Sequence, residues 1–198
     1  LTSTKPAMPI THVRYGLSIC SLYGMRSILE RTRHHMYTQH AKLIDAMIEY
    51  DKGDARRIQH FIKVHDLAAT IAALENADEE TTFILETAAI LHDIGIHISE
   101  AKYGSASGHY QELEGPAEAE KLMQKVGGYN ASQIERVMYL IGHHHTYNNI
   151  DGIDYQILVE ADFLVNLYED NVSAEAVKNA RSQIFRTSAG TRLLDNMF

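Results

Sequence analysis

The chain has 198 residues, of which 45% are hydrophobic and 22% charged, and its formal net charge is −8. This length allows one domain with a sizeable core. The negative charge argues against broad binding to nucleic acid or to an anionic membrane through a basic surface. Cys20 is the only cysteine, which excludes an internal disulfide and a cysteine-built metal site. No apolar stretch approaches the roughly 20 residues of a membrane helix. We therefore expect a cytoplasmic protein in which any metal is held by histidine and carboxylate.

The first 35 residues differ in charge from the rest. They carry five Lys or Arg against one acidic residue, Glu30. A basic, acid-poor start suits either a targeting presequence or an extension ahead of a start at Met36. We divide the chain into a basic N-terminal extension, residues 1–35, and a domain over residues 36–198.

From Met36 onward the hydrophobic periodicity is that of helices, which predicts an all-α fold. A first helix is expected to end near Gly53. Asp54 and Asp78 are suitable N-caps for the second and third helices, and Gly95 is where the third should stop.

The second half of the domain contains several helix boundary signals. Residues 95–114 are rich in Gly and Ser and are expected to form a loop. Pro116 suits the first turn of the next helix, and Ser132 with Glu135 has the spacing of a capping box. A further helix is predicted from about Asp154, followed by two short ones.

A histidine and an aspartate follow one another at the end of the third predicted helix. In AAILHDIG, His92 and Asp93 end an apolar helix just before Gly95. The chain contains its own comparison, because His65 and Asp66 repeat the dipeptide in mid-helix without the glycine. Only the first pair is expected to project from a helix terminus.

Two more polar residues occupy positions where the helical pattern calls for apolar ones. His60 lies four residues before Val64, and Asp162 lies four after Leu158 and three before Val165. A buried carboxylate is costly unless it is paired or bound to a metal. Polar groups facing inward from three helices are best explained if they converge on one cation between the helices.

These segments together resemble a known family. RIQHFIKVHDLA (57–68), AAILHDIG and EADFL (160–164) resemble the ordered H, HD, D signature of HD-domain phosphohydrolases, over roughly residues 45–170. The resemblance implies an all-helical bundle with one or two divalent ions, among Fe, Mn, Mg, Ni and Zn with Fe or Mn favoured, and hydrolysis of phosphate mono- or diesters, often of nucleotides. It implies metal ligation by His60, His92, Asp93 and Asp162, with His92 and Asp93 at the catalytic centre.

The ligands of a second ion stay open. LIGHHHT (140–146) resembles the segment that carries further histidines in this family, which suggests His143 and His144. The apolar stripe of the preceding helix points to His144 and His145 instead. The remaining candidates for the second metal or its surroundings are His109, Glu112 and Glu114.

Three cations are candidates for binding the phosphate of a substrate, from their position alone: Lys102, His97 and Arg57. We expect a small phosphorylated substrate, which the family resemblance suggests is a nucleotide. We expect neither nucleic acid nor a membrane as a partner, and the sequence does not predict the oligomeric state. The alternatives are a metal-holding module that senses a nucleotide without turnover, a helical domain without metal, and oxygenase chemistry at a two-iron site on the same scaffold.

Overall fold

The computed structural model describes residues 38–198. The predicted extension, residues 1–35, and the predicted helix start at Met36 lie outside the described residues. All regular elements from 38 to 198 are helices, and the all-α prediction is confirmed. They are α1 (38–50), α2 (Ala55–Leu74), α3 (Glu79–Leu91), α4 (Ile96–Tyr103), α5 (Gly108–Val126), α6 (Ala131–Ile141), α7 (Ile153–Glu169), α8 (Ala174–Gln183) and α9 (Ser188–Met197).

The centre of the domain is built from α2, α3 and α7, each of which packs against the other two. Helix α7 is buried along most of its length, because apolar residues surround it on nearly all sides. The polar residues Asp162 and Glu160 are buried with it. Helix α6 packs on α3 and on α5, and α4 packs on α5.

Two helix starts agree with the sequence prediction. The carboxylate of Asp54 accepts a hydrogen bond from Arg57 N at 3.0 Å, and that of Asp78 accepts one from Thr81 N at 2.9 Å. These bonds satisfy amide groups that have no partner within the first helical turn.

The predicted loop over 95–114 is wrong. The segment forms α4 and the start of α5, and its glycines mark only the boundaries of these helices. Gly104 ends α4 at φ +64, a left-handed conformation that glycine adopts without strain. Pro116 is likewise not in a first turn: it lies inside α5, where its missing N–H leaves the carbonyl of Glu112 without a helical partner.

The predicted capping box at Ser132 and Glu135 is also wrong, by two residues. Asn130 Oδ1 accepts from Gln133 N at 2.9 Å, and Gln133 Oε1 accepts from Asn130 N at 2.9 Å. The chain enters α6 earlier because Gly127 and Gly128, both at positive φ, turn it sharply after α5.

Glu160 holds the last two helices to α7. Its side chain is fully buried and accepts hydrogen bonds from Arg186 N at 2.6 Å, Thr187 N at 2.9 Å and Gln156 Nε2 at 2.7 Å. These bonds offset the cost of burying a carboxylate. They tie the connection between α8 and α9 to the central helix.

No helix within residues 38–198 combines the length and the apolar character needed to cross a membrane.

Candidate metal centre

The turn after α3 is positioned by contact between two glycine backbones. Gly95 has φ −74, a value that any residue can adopt, so a left-handed turn is not the reason for a glycine at this position. A Cβ at this position would lie 2.7 Å from Gly115 N and 2.8 Å from Gly115 Cα. Glycine therefore allows the turn to pack directly on α5, and this packing places His92 and Asp93 at the centre of the domain.

Four side chains from α2, this turn and α7 come together. The Nε2 atom of His60 lies 3.2 Å from Nε2 of His92 and 3.2 Å from Oδ1 of Asp162. His92 Nε2 lies 3.5 Å from the same Asp162 oxygen. Asp93 Oδ2 lies 3.8 Å from His60 Nε2 and 3.7 Å from His92 Nε2. The four residues expected from the sequence thus present one nitrogen or oxygen each to a common point.

The opposite ring nitrogens show which atoms carry hydrogen. His60 Nδ1 lies 3.1 Å from Glu169 Oε2, and His92 Nδ1 lies 3.0 Å from the carbonyl oxygen of Ala89. Both neighbours are acceptors, so Nδ1 is the donor in each neutral ring and Nε2 carries the lone pair. Two lone pairs 3.2 Å apart beside a carboxylate repel one another unless a cation lies between them. The donor set therefore fits a divalent metal ion held by two imidazoles and carboxylate.

The charges at the centre favour a cation. Burial lowers the pKa of His60, but the hydrogen bond to Asp162 and the charges of Asp162 and Asp93 raise it to about 9. Without a metal ion the ring therefore also carries a proton on Nε2 at neutral pH, and a bound ion would replace that proton. Burial raises the pKa of Asp93, but the charge of His92 and the contact with His144 hold it at about 2 in the absence of a metal ion. Burial raises the pKa of Asp162 too, but its hydrogen bonds with His60 and His92 hold it well below the ordinary value. Both carboxylates are thus ionised at neutral pH, and the same negative potential attracts a metal ion.

A second group of ligand atoms adjoins the first through Asp93. Its Oδ1 lies 3.2 Å from His144 Nε2 and 4.0 Å from His145 Nε2. His144 is 1% exposed, and its Nδ1 donates to the carbonyl of Ile141 at 2.8 Å, the arrangement seen at His92. His144 is thus oriented toward Asp93 in the same way as the histidines of the first group.

His145 differs because of Gln111, a residue that the sequence analysis missed. Gln111 Nε2 donates to the carbonyl of Ala106 at 2.8 Å, so its Oε1 is the atom that faces His145 Nε2, also at 2.8 Å. That nitrogen consequently carries the ring hydrogen and has no lone pair for a metal. Nothing in the sequence marks Gln111, because a glutamine is not a typical metal ligand.

The other residues predicted for the second metal lie elsewhere. His143 donates from Nδ1 to the carbonyl of Tyr139 at 2.7 Å, and its ring stacks on that tyrosine. His109 is exposed against Tyr110. Glu112 accepts from His145 N at 3.0 Å and from the Thr146 hydroxyl at 2.9 Å, and Glu114 accepts from Lys102 and Tyr103, both at 2.6 Å. Each of these four side chains has its contacts with atoms other than the ligand atoms of the two groups.

A cavity of about 520 Å³ opens onto the first group. Its wall includes His60, Asp93, Gln111, Glu169 and Arg57. Of the three predicted phosphate-binding cations, only Arg57 is among the described residues that line it. Lys102 forms an exposed ion pair with Glu114. His97 lies behind the cavity, with Nδ1 3.0 Å from the Arg57 guanidinium and Nε2 2.9 Å from Asp51 Oδ1.

The sequence matches the HD domain family over residues 57–180. The chain belongs to the HD-domain family. Membership places it in a superfamily of metal-dependent hydrolases, whose domains bind divalent metals. The matched segment contains His60, His92, Asp93, His144 and Asp162.

The HD fold is also found in a solved structure. The chain is similar to a crystal structure described as a predicted HD superfamily hydrolase from an uncultured Thermotogales bacterium, with a TM-score of 0.56 and 24% identity. The match covers 79% of this chain and 83% of the other. No curated protein matches this HD-domain chain.

Proposed function

We propose that this protein hydrolyses a phosphate mono- or diester of a small molecule, a nucleotide by resemblance, with one divalent ion held by His60, His92, Asp93 and Asp162. The observation that carries the proposal is the convergence of the Nε2 atoms of His60 and His92 while both Nδ1 atoms are bonded to acceptors. Iron or manganese is favoured for the ion, since imidazole and carboxylate suit both.

A divalent ion held there supplies a water whose pKa falls toward about 7 and a charge that offsets the phosphoryl oxygens. Asp93 has one carboxylate oxygen toward His60 and His92 and the other toward His144. Burial raises the pKa of Asp93, but the charge of His92 and the hydrogen bond with His144 outweigh it and hold the pKa at about 2. Asp93 therefore stays ionised at neutral pH and can accept a hydrogen bond from an attacking water.

Arg57 is the residue proposed to bind the phosphate. It lines the cavity beside His60, and its guanidinium is held by His97 Nδ1 at 3.0 Å. Guanidinium groups bind phosphate oxygens through paired hydrogen bonds. The cavity volume of about 520 Å³ lies in the range of small-molecule sites.

A second ion is proposed to bind less tightly than the first. Its group offers Asp93 and His144, while the hydrogen bond to Gln111 occupies His145 Nε2. We therefore expect one ion to remain after dialysis, with a second taken up only at higher metal concentration.

The proposal is tested with Asp93→Asn and with Asp66→Asn as its matched control, because Asp66 is the exposed aspartate of the other His-Asp pair. Each protein is loaded with Mn²⁺, Fe²⁺, Mg²⁺, Ni²⁺ or Zn²⁺ and assayed for phosphate or nucleotide release from nucleoside phosphates, cyclic nucleotides and simple aryl phosphate mono- and diesters. Asp93→Asn should lower the rate by at least ~100-fold, since residues beyond the metal ligands alone change activity by about 10–100-fold. Asp66→Asn should leave it unchanged.

Absence of turnover in every metal-loaded sample, or equal rates in the wild type and Asp93→Asn, would refute hydrolysis at this centre. A nucleotide that raises the melting temperature and is recovered intact would identify a sensor module instead.

A further inference from the structure

A second cluster of potential metal ligands lies away from this centre. It contains His40 of α1, His65 of α2 and Glu86 of α3, whose ligand atoms all lie within 4.8 Å of one another. Glu86 Oε2 is 2.8 Å from His40 Nδ1 and 3.3 Å from His65 Nε2. None of the three residues lines the 520 Å³ cavity. The cluster is therefore separate from the centre proposed for hydrolysis.

Hydrogen bonding fixes the hydrogen of the His40 ring. Its Nε2 lies 3.3 Å from the carbonyl oxygen of Phe83 and 3.2 Å from Thr87 Oγ1. The Thr87 hydroxyl donates its own hydrogen to Phe83 O at 2.8 Å, so both groups are acceptors for His40. The neutral ring then turns its Nδ1 lone pair toward the Glu86 carboxylate. Two electron-rich atoms 2.8 Å apart in a buried site require a positive charge between them.

Either a proton or a metal ion can supply this charge, and the two differ in how many of the three ligand atoms they join. A proton joins two of the three atoms, whereas an ion contacts all three. Two imidazoles with one carboxylate are ligands of zinc sites that keep a fourth position for water. With bonds of about 2.0–2.2 Å, tetrahedral ligand atoms lie roughly 3.3–3.5 Å apart. The 3.3 Å separation already fits, and the 2.8 Å pair has to open by about half an ångström to enter this range.

His65 is the most accessible of the three side chains. The side chain of His65 is 20% exposed and lines a second cavity of about 390 Å³ between α2 and α7. The other two ligands are more deeply buried, with His40 4% exposed. Of the three side chains, only His65 lines this cavity.

We propose that His40, His65 and Glu86 form a structural binding site for a divalent ion of the zinc class. The site joins α1 to the packed pair α2 and α3. It uses the His65 side chain of the His-Asp dipeptide that lacks a following glycine.

The test counts Zn²⁺ ions on the full chain. Metal-free wild type, His65→Ala, Glu86→Gln and the control Asp66→Asn are titrated with Zn²⁺ in competition with a chromophoric chelator. Wild type and Asp66→Asn should bind one equivalent more than His65→Ala and Glu86→Gln. Asp162→Asn, which changes only the other centre, should retain this equivalent. Equal Zn²⁺ counts in the wild type, His65→Ala and Glu86→Gln overturn the proposal.

Wild-type crystals soaked in Zn²⁺ give a measurement that needs no variant to fold. We expect an anomalous scattering peak within bonding distance of His40 Nδ1, His65 Nε2 and Glu86. The absence of this peak from crystals soaked in excess Zn²⁺ overturns the site. The result is independent of hydrolysis, because this peak and the peak at the other centre are observed separately.

Discussion

His60 contacts charged groups at both ring nitrogens. Its Nε2 faces the metal centre, while its Nδ1 donates to Glu169, which in turn pairs with Lys63. A carboxylate behind a ligating histidine fixes the ring orientation and raises the basicity of the ligand. Glu169 is therefore expected to set the metal affinity of this centre without contacting the metal.

Replacing Glu169 by Ala should weaken metal binding by about 10–100-fold. Glu169→Gln should fall between Glu169→Ala and the wild type, since an amide oxygen still accepts from Nδ1 but carries no charge. Chelator competition with Mn²⁺ measures the affinities, with the exposed Glu175→Ala as control. An affinity of Glu169→Ala equal to that of the control would show that Glu169 does not support the ligand.

Asp51 gives the domain a stability that depends on pH. Its side chain is buried beside His97, and burial raises its pKa to about 6 from an ordinary 3.8 although the charges of His97 and Arg57 oppose the shift. The folded state thus holds this proton more tightly than the unfolded state. The contribution of Asp51 to stability is fully favourable below about pH 4 and is lost as the pH rises through 6.

The variant Asp51→Asn cannot ionise and should escape this loss. Its free energy of unfolding relative to the wild type should rise between pH 4 and pH 7, as measured by urea denaturation of both proteins. A difference that stays constant over this range would show that Asp51 does not titrate with a raised pKa.

That His60, His92, Asp93 and Asp162 lie close together could be predicted because each is a polar side chain on an otherwise apolar helix face or at a helix end; metal binding by them stays a prediction. The second group was less predictable. Whether His143 or His145 joins His144 depends on the exact end of α6, and the stripe of that helix indicated the pair that the structure brings near Asp93. Gln111 could not be found, since its contact with His145 arises from the packing of α5 beside α6.

At the scale of elements, two residues can be compared as the N-cap of α6: Asn130, which caps the helix in the structure, and Ser132, which the sequence predicted. Asn130→Ala removes the acceptor of the Gln133 amide and should cost about 1 kcal/mol in the free energy of unfolding. Ser132→Ala removes an exposed hydroxyl that donates to Asn130 Oδ1 at 2.6 Å but caps no helix amide, and it should change the free energy of unfolding by less than about 0.5 kcal/mol. Urea denaturation compares the two variants, and an equal or larger cost for Ser132→Ala would favour the cap predicted from the sequence.

Helix boundaries were predictable where one side chain caps the next amides, as at Asp54 and Asp78. They were not predictable where tertiary contacts decide. Gly95 does lie between α3 and α4, as predicted, but the reason for a glycine there is its close packing on Gly115, which the sequence does not show. Pro116 appeared to open a helix, although tertiary packing keeps it within α5 beside Gly142. Local composition cannot distinguish these uses of glycine and proline.

For the whole molecule, metal removal should lower thermal stability, because the ligands of the proposed centre come from three helices. At about 100 times its dissociation constant, Mn²⁺ should add roughly 2.7 kcal/mol and raise the melting temperature by about 5–10 °C. Differential scanning calorimetry with and without chelator measures the change. Asp162→Asn should lose most of it, and an equal Mn²⁺ effect in that variant would place the stabilising ion elsewhere.

The distance along the chain between the ligands has a consequence for biosynthesis. His60 and Asp162 are 102 residues apart, and the latter sits on the helix that fills the middle of the domain. A ribosome that has released only the first helices presents His60, His92 and Asp93 without their fourth partner. An ion held by all four proposed ligands would therefore bind only after α7 has left the ribosome and docked, which would make metal loading a late step in the synthesis of the domain.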